Sequence, residues 1–251
     1  MRDDGETMRN IKLNLSYDGS RYHGFQIQKN AVTIQETVEK AIHEITGQSV
    51  RIIGCSRTDA GVHALDYVCN FHSDTLIPDE KLPFALNAHL PDDIACTCAQ
   101  TAAEDFHARY SAKSKIYIYK IHNSPHRNPL YGRYSWHYPI SLDIPSMQKA
   151  AEYIVGTHDF SAFMASGGQQ KTTVKTVYSL SVSNCANEIT VKIHADGYLY
   201  NMVRIITGTL VYAGNGKIDP NDIASIIESL DRRRAGITAP PQGLALAQVF
   251  Y

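Results

Sequence analysis

Two hydrophobic periods alternate along this chain, and their order limits what it can fold into. Ile11, Leu13, Leu15 and Tyr17 alternate with polar residues, the period of a half-buried strand. Val38, Ala41, Ile42 and Ile45 then recur at helical spacing within residues 33–47. Thr33 and Glu36 have the spacing of a capping box, in which each side chain satisfies the other's orphan backbone N–H, and Gly47 supplies the stop. VRII (50–53) reads as a second strand. LDYVCNF (65–71) reads as a third, with Leu65, Tyr67, Cys69 and Phe71 on one face. PDEKLPFALNAHL predicts a helix with Pro83 in its first turn, and IACTCAQT a fourth strand. The order is β-α-β-β-α-β.

The second half repeats that order. KIYIYKI (115–121) is a strand, and SMQKAAEYIVG (146–156) a helix ending at Gly156. VKTVYSLSV and EITVKIHA flank SNCAN as a hairpin. NMVRIITGTLVYAG and DIASIIESL follow as helices, and GLALAQVF closes the chain as a strand. The expected class is α+β. Two β-α-β-β-α-β halves of the RRM or ferredoxin-like kind share a mainly antiparallel sheet, with helices packed around it and a central cleft. The expected divisions are a flexible N-terminal extension at 1–9, one half at 10–105 and another at 106–251, with Met8 an alternative start.

Composition narrows the function classes. The 251 residues are 43% hydrophobic and 20% charged, an ordinary globular profile with ample material for a core. No apolar run approaches the ~20 residues of a membrane span, and the polar start is no secretory signal. Five cysteines without a C-x-x-C pair indicate neither a disulfide framework nor a zinc site, but reduced thiols in a cytoplasmic protein. The histidines form no metal signature, and His63 and His72 read as surface or loop residues. A net charge of −1 attracts no polyanion by itself, so distribution matters more. No acid lies between Asp105 and Asp143, a stretch that holds Arg109, Lys113, Lys115, Lys120, Arg127 and Arg133 among Tyr and Trp residues. Lys171 and Lys175 lie in a second acid-free stretch. Cations neutralise phosphates and aromatic rings stack on unpaired bases, although a solvated basic face would have the same composition.

The loop GCSRTDAGVHA (54–64) joins two of the expected strands. As a plain connection, Asp59 would bond its own backbone, Gly61 would take positive φ, and Arg57 and Asp59 would form an exposed pair worth about 0–1 kcal/mol. As a catalytic loop, it would hold an ionised carboxylate at a fixed point, with Ala60 and Gly61 allowing a bulky substrate to approach. Arg204, near the start of an apolar helix, either reaches the surface or needs an anionic partner, for which Asp59 is a candidate. Local physics leaves these readings open.

SRTDAGVHA resembles the active-site motif of the TruA family, the tRNA pseudouridine synthases acting at nucleotides 38 to 40. YDGSRYHGFQIQ, TIQETVEKAI, LNAHLPDDIA, DFHARYSAKSKIYIYKI, GYLYNMVRIITGTL and TAPPQGLALAQVFY resemble further family segments in the same order. The resemblance implies the pseudouridine-synthase fold, no cofactor and no metal. It implies a reaction that breaks the N1–C1′ bond of uridine, turns the base and rejoins it through C5. It makes Asp59 the nucleophile, with attack at C1′ or C6 left open. Tyr117 becomes the tyrosine stacked on the target uracil, Arg204 the arginine paired with the nucleophile, Arg57 an RNA contact and Leu244 an apolar contact to the base. Arg109, Lys113, Lys115, Lys171 and Lys175 become phosphate contacts, tRNA the partner, and a cytoplasmic homodimer without membrane association the working form. The run 232–234 is expected to complement a helix dipole rather than to grip RNA. Ser56, Phe25 and Lys175 depart from the family pattern, where Gly, Trp and Arg are common. Two other readings of the chain are a non-catalytic RNA-binding module with RRM-like halves, and a metal-dependent phosphoesterase using Asp59 and His63.

Overall fold

The computed structural model describes residues 8–168 and 172–251. The expected N-terminal extension lies outside the described residues as far as residue 7, and Arg9 already belongs to the first strand. The chain forms two compact units. One runs to Lys113 and takes in Leu246–Tyr251; the other is Ser114–Ala245.

The first unit contains β1 (Arg9–Tyr17), α1 (Ile34–Thr46), β2 (Ile53–Gly54), β3 (His63–Ser73), α2 (Leu82–Asn87) and β4 (Ile94–Thr101). Its strands run antiparallel in the order β4-β1-β3, with β2 on β3. Ile11, Leu13 and Leu15 are fully buried, as the alternating period predicts. Ile34, Val38, Ala41 and Ile42 bury one face of α1, and Gly47 ends the helix in the left-handed region. Thr33 accepts from the Glu36 N–H at 3.4 Å, but the Glu36 carboxylate turns to Lys40 at 3.1 Å, so the capping box is half formed.

Two expectations in this unit need correction. VRII is not a strand: only Ile53 and Gly54 pair with β3. Side chains of α1 take the backbone groups that a neighbouring strand would need. Glu39 accepts from the Ile52 N–H at 2.9 Å, and Gln35 donates to the Ile52 carbonyl at 3.2 Å. Leu65 does not share the face of Tyr67, Cys69 and Phe71; it is 59% exposed while those are buried. Leu15 pairs with Tyr67 but Tyr17 with Ala64, so β3 carries an extra residue that reverses its alternation there. Cys55, Cys69 on β3 and Cys96 on β4 are buried, while Cys98 is exposed. Burial pushes the Cys69 thiol well above its ordinary range and that of Cys96 up to about 12.

The second unit begins with β5 (Ser114–Asn123), β6 (Trp136–Tyr138), α3 (Ile144–Glu152) and β7 (Gly156–Asp159). It continues through β8 (Val174–Cys185), β9 (Glu188–Ala195), α4 (Met202–Gly214) and α5 (Ile223–Ser229). The final strand, β10 (Leu244–Phe250), starts here. The order β5-β9-β8-β7 is antiparallel throughout, and β6 adds a parallel edge to β5. The helix expected to end at Gly156 stops at Glu152. Ile154 donates to Ala151 in a tight turn, and Gly156 instead opens β7. The hairpin turn is tighter than SNCAN: Cys185 pairs with Glu188, and Ala186 takes φ +51°. The apolar helix α4 is buried along most of its length, and its packing rather than an exposed polar face holds it. No described helix is long and apolar enough to cross a membrane.

Ile42→Ala is expected to cost about 2–5 kcal/mol, because a fully buried side chain leaves a cavity. Leu65→Ser should stay within about 0.5 kcal/mol. Urea denaturation of the two variants against the parent protein checks both values.

Candidate active site

Asp59 sits half-buried in the loop that carries the chain from β2 into β3. A second loop, residues 18–25, holds it by backbone contacts. Phe25 N–H donates to the Thr58 carbonyl at 3.1 Å, and Gly61 N–H to the Tyr22 carbonyl at 3.2 Å. Within the loop, Val62 N–H donates back to the Asp59 carbonyl at 3.1 Å. Thus the backbone on both sides of Asp59 is tied down. The hydroxyls of Tyr17 and Thr58 meet at 2.8 Å in the interior.

The fit depends on missing side chains. Gly24 has φ +86°, and a β-carbon there would stand 2.5 Å from the Thr58 carbonyl oxygen. A β-carbon on Gly19 would overlap the Val62 carbonyl. The holding loop is itself anchored. Asp93 accepts from Arg21 at 2.7 Å and from the Tyr22 hydroxyl at 2.6 Å, and its carbonyl accepts from Asp18 N–H at 2.9 Å. Burial, then the Asp93 hydrogen bond, raises the Tyr22 phenol above its ordinary range, which keeps it a donor. His63, expected at the surface, is 6% exposed. Its Nδ1 accepts from Gly19 N–H at 3.1 Å and lies 3.1 Å from Asp18 Oδ1. Two positions that depart from the family pattern serve the floor of the loop: the Phe25 ring stacks on Tyr67 at 4.4 Å, and the Tyr67 hydroxyl donates to the Ser56 carbonyl.

Arg57 is exposed on the same loop, with no ion pair among the described residues. Arg109 is exposed in the first unit, its guanidinium 5.8 Å from the Tyr110 ring, and Lys113 is exposed nearby in sequence. Lys115 and Lys175 are half-buried in the second unit, and Lys171 lies outside the described residues.

The second unit carries Tyr117, Arg204 and Leu244. Tyr117 is buried on β5 and meets the Tyr198 ring edge-on at 4.9 Å. Tyr198 is fixed by donating to the carbonyls of Lys115 and Ile193 at 2.9 and 3.0 Å. Arg204 projects from the first turn of α4. Its Nε donates to the Ala239 carbonyl and its Nη1 to Asn201 Oδ1, each at 2.7 Å. Asn201 reaches that position by adopting φ +60°. The Tyr119 hydroxyl donates to the adjacent Pro240 carbonyl at 2.7 Å. Burial pushes the Tyr119 phenol above its usual range, against the pull of the Arg204 charge. A β-carbon on Gly243 would lie 2.6 Å from the Tyr119 ring, so the turn Pro241–Gly243 seats Leu244 directly after a close backbone approach. Leu244 is 5% exposed.

Reading the sequence missed Asp18, Tyr22, His63 and Asp93 as supports of the Asp59 loop. The available signal was the glycine pair at 19 and 24 in a polar loop that also carries two aromatics. Among the described residues no group of His, Cys, Asp and Glu is arranged to hold a metal ion.

In the first unit, a carboxylate loop clamped by backbone on both sides is an arrangement suited to acid, base or nucleophilic chemistry. A family model described as tRNA pseudouridine synthase matches residues 15–111 and 150–251. A tRNA pseudouridine synthase A of Thermoanaerobacter sp. (strain X514) is 53% identical over 244 residues, covering 97% of this chain and 100% of that protein. Proteins of the same name from Acetivibrio thermocellus and Ruminiclostridium cellulolyticum are 51% and 49% identical, each over 97% of this chain and 100% of their own length. The chain belongs to the tRNA pseudouridine synthase family and is an isomerase.

Gly24→Ala is expected to lower turnover at least about tenfold, because the clash displaces Thr58 and with it the Asp59 backbone. Gly47→Ala, with φ +72° and nothing within 4 Å, should cost about 1 kcal/mol and leave turnover intact. Single-turnover rates and thermal melts of both variants test the contrast.

Proposed function

We propose that this enzyme converts uridine to pseudouridine at positions 38, 39 or 40 of the tRNA anticodon arm, with Asp59 as nucleophile. The observation that carries the reading is the pinned backbone around Asp59, with Phe25 N–H on Thr58 and Gly61 N–H on Tyr22. A fixed carboxylate is preorganised for attack, and catalysis rewards such placement.

A uridine within a stem is out of reach, so it must leave its stack at a cost of a few kcal/mol. Arg57, exposed beside Asp59, contacts the RNA where the base departs. Arg109, Lys113, Lys115, Lys171 and Lys175 offset the cost by holding phosphates. Asp59 attacks at C1′ or C6, the N1–C1′ bond breaks, the freed uracil turns and bonds C1′ through C5, and the bond to Asp59 breaks again to return its carboxylate. The C5 proton then leaves and N1 gains one, so the product is an isomer and no cofactor enters the balance. Tyr117 stacks on the uracil and takes part in that proton transfer. Leu244 makes an apolar contact to the base, and Arg204 supplies positive charge to the reaction. The reading includes a cytoplasmic homodimer, which sedimentation at twice the chain mass would reveal.

Unmodified tRNA transcript incubated with the enzyme in excess EDTA should gain a carbodiimide-dependent reverse-transcription stop in the anticodon arm. Asp59→Asn and Asp59→Ala should abolish it; a normal stop with Asp59→Asn would remove Asp59 from the chemistry. RNA retained without any product points to a binding module, and shortened RNA that appears only with metal points to a phosphoesterase. Tyr117→Phe should keep tRNA affinity and lose about 10²-fold or more in rate, and an unchanged rate would deny its hydroxyl a role.

A further inference from the structure

Three consecutive arginines follow α5, and the structure sends them three ways. Arg233 points to solvent and pairs with Asp231 at 2.8 Å. Arg234 turns back on α5, donating to the Ser225 carbonyl at 3.1 Å and to its hydroxyl at 3.0 Å. Neither fills the expected role of complementing a helix dipole: Arg233 is taken by Asp231, and Ser225 lies in the first turn of α5, the positive end of that helix. Arg232 differs. Its Nη1 donates to the Gly236 carbonyl at 2.8 Å and its Nη2 to Thr238 Oγ1 at 3.2 Å. It is half-buried, and no ion pair to it forms among the described residues. A half-buried guanidinium bonded only to neutral oxygens is costly to keep, so what it holds matters.

It holds the strap 236–240, which lies on α4 with no room for side chains at the crossing. A β-carbon on Gly208 would overlap the Ile237 carbonyl, and one on Gly236 would stand 2.5 Å from the Gly208 carbonyl carbon. Gly236 N–H donates to Thr209 Oγ1 at 2.8 Å. The next residues of the strap reach the site. Ala239 accepts from Arg204 Nε at 2.7 Å and donates its own N–H to the Arg204 carbonyl at 3.1 Å. Pro240 accepts from the Tyr119 hydroxyl at 2.7 Å, and Leu244 follows the adjoining turn. Arg232 bonds the strap at Gly236 and Thr238, on both sides of Ile237, whose carbonyl lies against Gly208 of α4.

We infer that Arg232 is a positioning residue for pseudouridine formation: it fixes the strap whose Ala239 carbonyl aims Arg204 and whose end leads into the turn that seats Leu244. The inference rests on the reading that Arg204 and Leu244 belong to the reacting site. The rival role for Arg232 is a phosphate contact, since a guanidinium has five N–H donors and two are used here.

The test measures single-turnover rate with enzyme in excess, and tRNA affinity as a function of salt. Arg232→Ala should lower the rate about 10- to 100-fold, as small misplacements at a reacting centre do. Its tRNA affinity should stay within about twofold and the slope of log Kd against log salt should not change. In an Arg204→Lys background, Arg232→Ala should cost less than about twofold more, because both changes act through one guanidinium. Thr238→Val, which removes one of the two bonds, should give a smaller loss, and should be silent once Arg232 is gone. Those two cycles separate positioning from loss of fold, which would multiply with either change. Arg232→Lys and Thr238→Val carry the test if Arg232→Ala does not fold. An unchanged rate, fully multiplicative losses, or weaker binding with a salt slope smaller by about one overturns the inference. Asp59→Asn runs alongside: if it keeps turnover, the nucleophile reading has failed independently of the result at Arg232.

Discussion

The Asp59 loop is held by backbone meeting backbone, and that contact depends on atoms that are not there. Phe25 N–H reaches the Thr58 carbonyl because Gly24 has turned the chain with φ +86°. Gly19 and Val62 approach within the space a side chain would occupy. Hydrogen bonds between peptide groups place a loop more narrowly than long side chains can, because no rotamer freedom remains in either partner. The carboxylate then needs to spend little entropy on reaching its position. Asp93, Arg21 and Tyr22 extend the same logic outward, tying the holding loop to the start of β4.

The second unit meets the same requirement differently. Arg204 is a long side chain on a helix, so its position has to be set by acceptors. Asn201 and Ala239 supply one each, to Nη1 and to Nε. One acceptor comes from the helix's own entry turn and the other from a strap that returns after α5. A residue brought in from a distant point in the sequence makes the aim of Arg204 depend on tertiary packing, and the buried Tyr119 hydroxyl on Pro240 shares that dependence.

How much of this was legible in the sequence follows from what each feature depends on. Period-2 and period-3.6 patterns placed β1, α1 and β10, because burial of one face decides them. VRII has strand composition, but its backbone groups go to Gln35 and Glu39, which no local pattern announces. Leu65 was assigned to the wrong face because an extra residue in β3 is a property of the pairing with β1, not of β3 itself. The motif around Asp59 was readable as a possible catalytic loop, whereas its supports were not. His63 looks like any loop histidine until the turn Gly19–Arg21 folds over it. The run 232–234 shows the limit plainly: three identical side chains in sequence have three unrelated partners.

The cysteines of this chain amount to a built-in reporter. Cys55, Cys69 and Cys96 are buried in the first unit, with the Cys69 and Cys96 thiols held protonated, while Cys98 and Cys185 lie at the surface. A thiol reagent therefore meets two populations: one reacts with the native protein, and the other waits for the first unit to open. The rate at which the hidden group becomes reactive measures how often the framework around Asp59 comes apart, with no label added and no residue near the carboxylate changed.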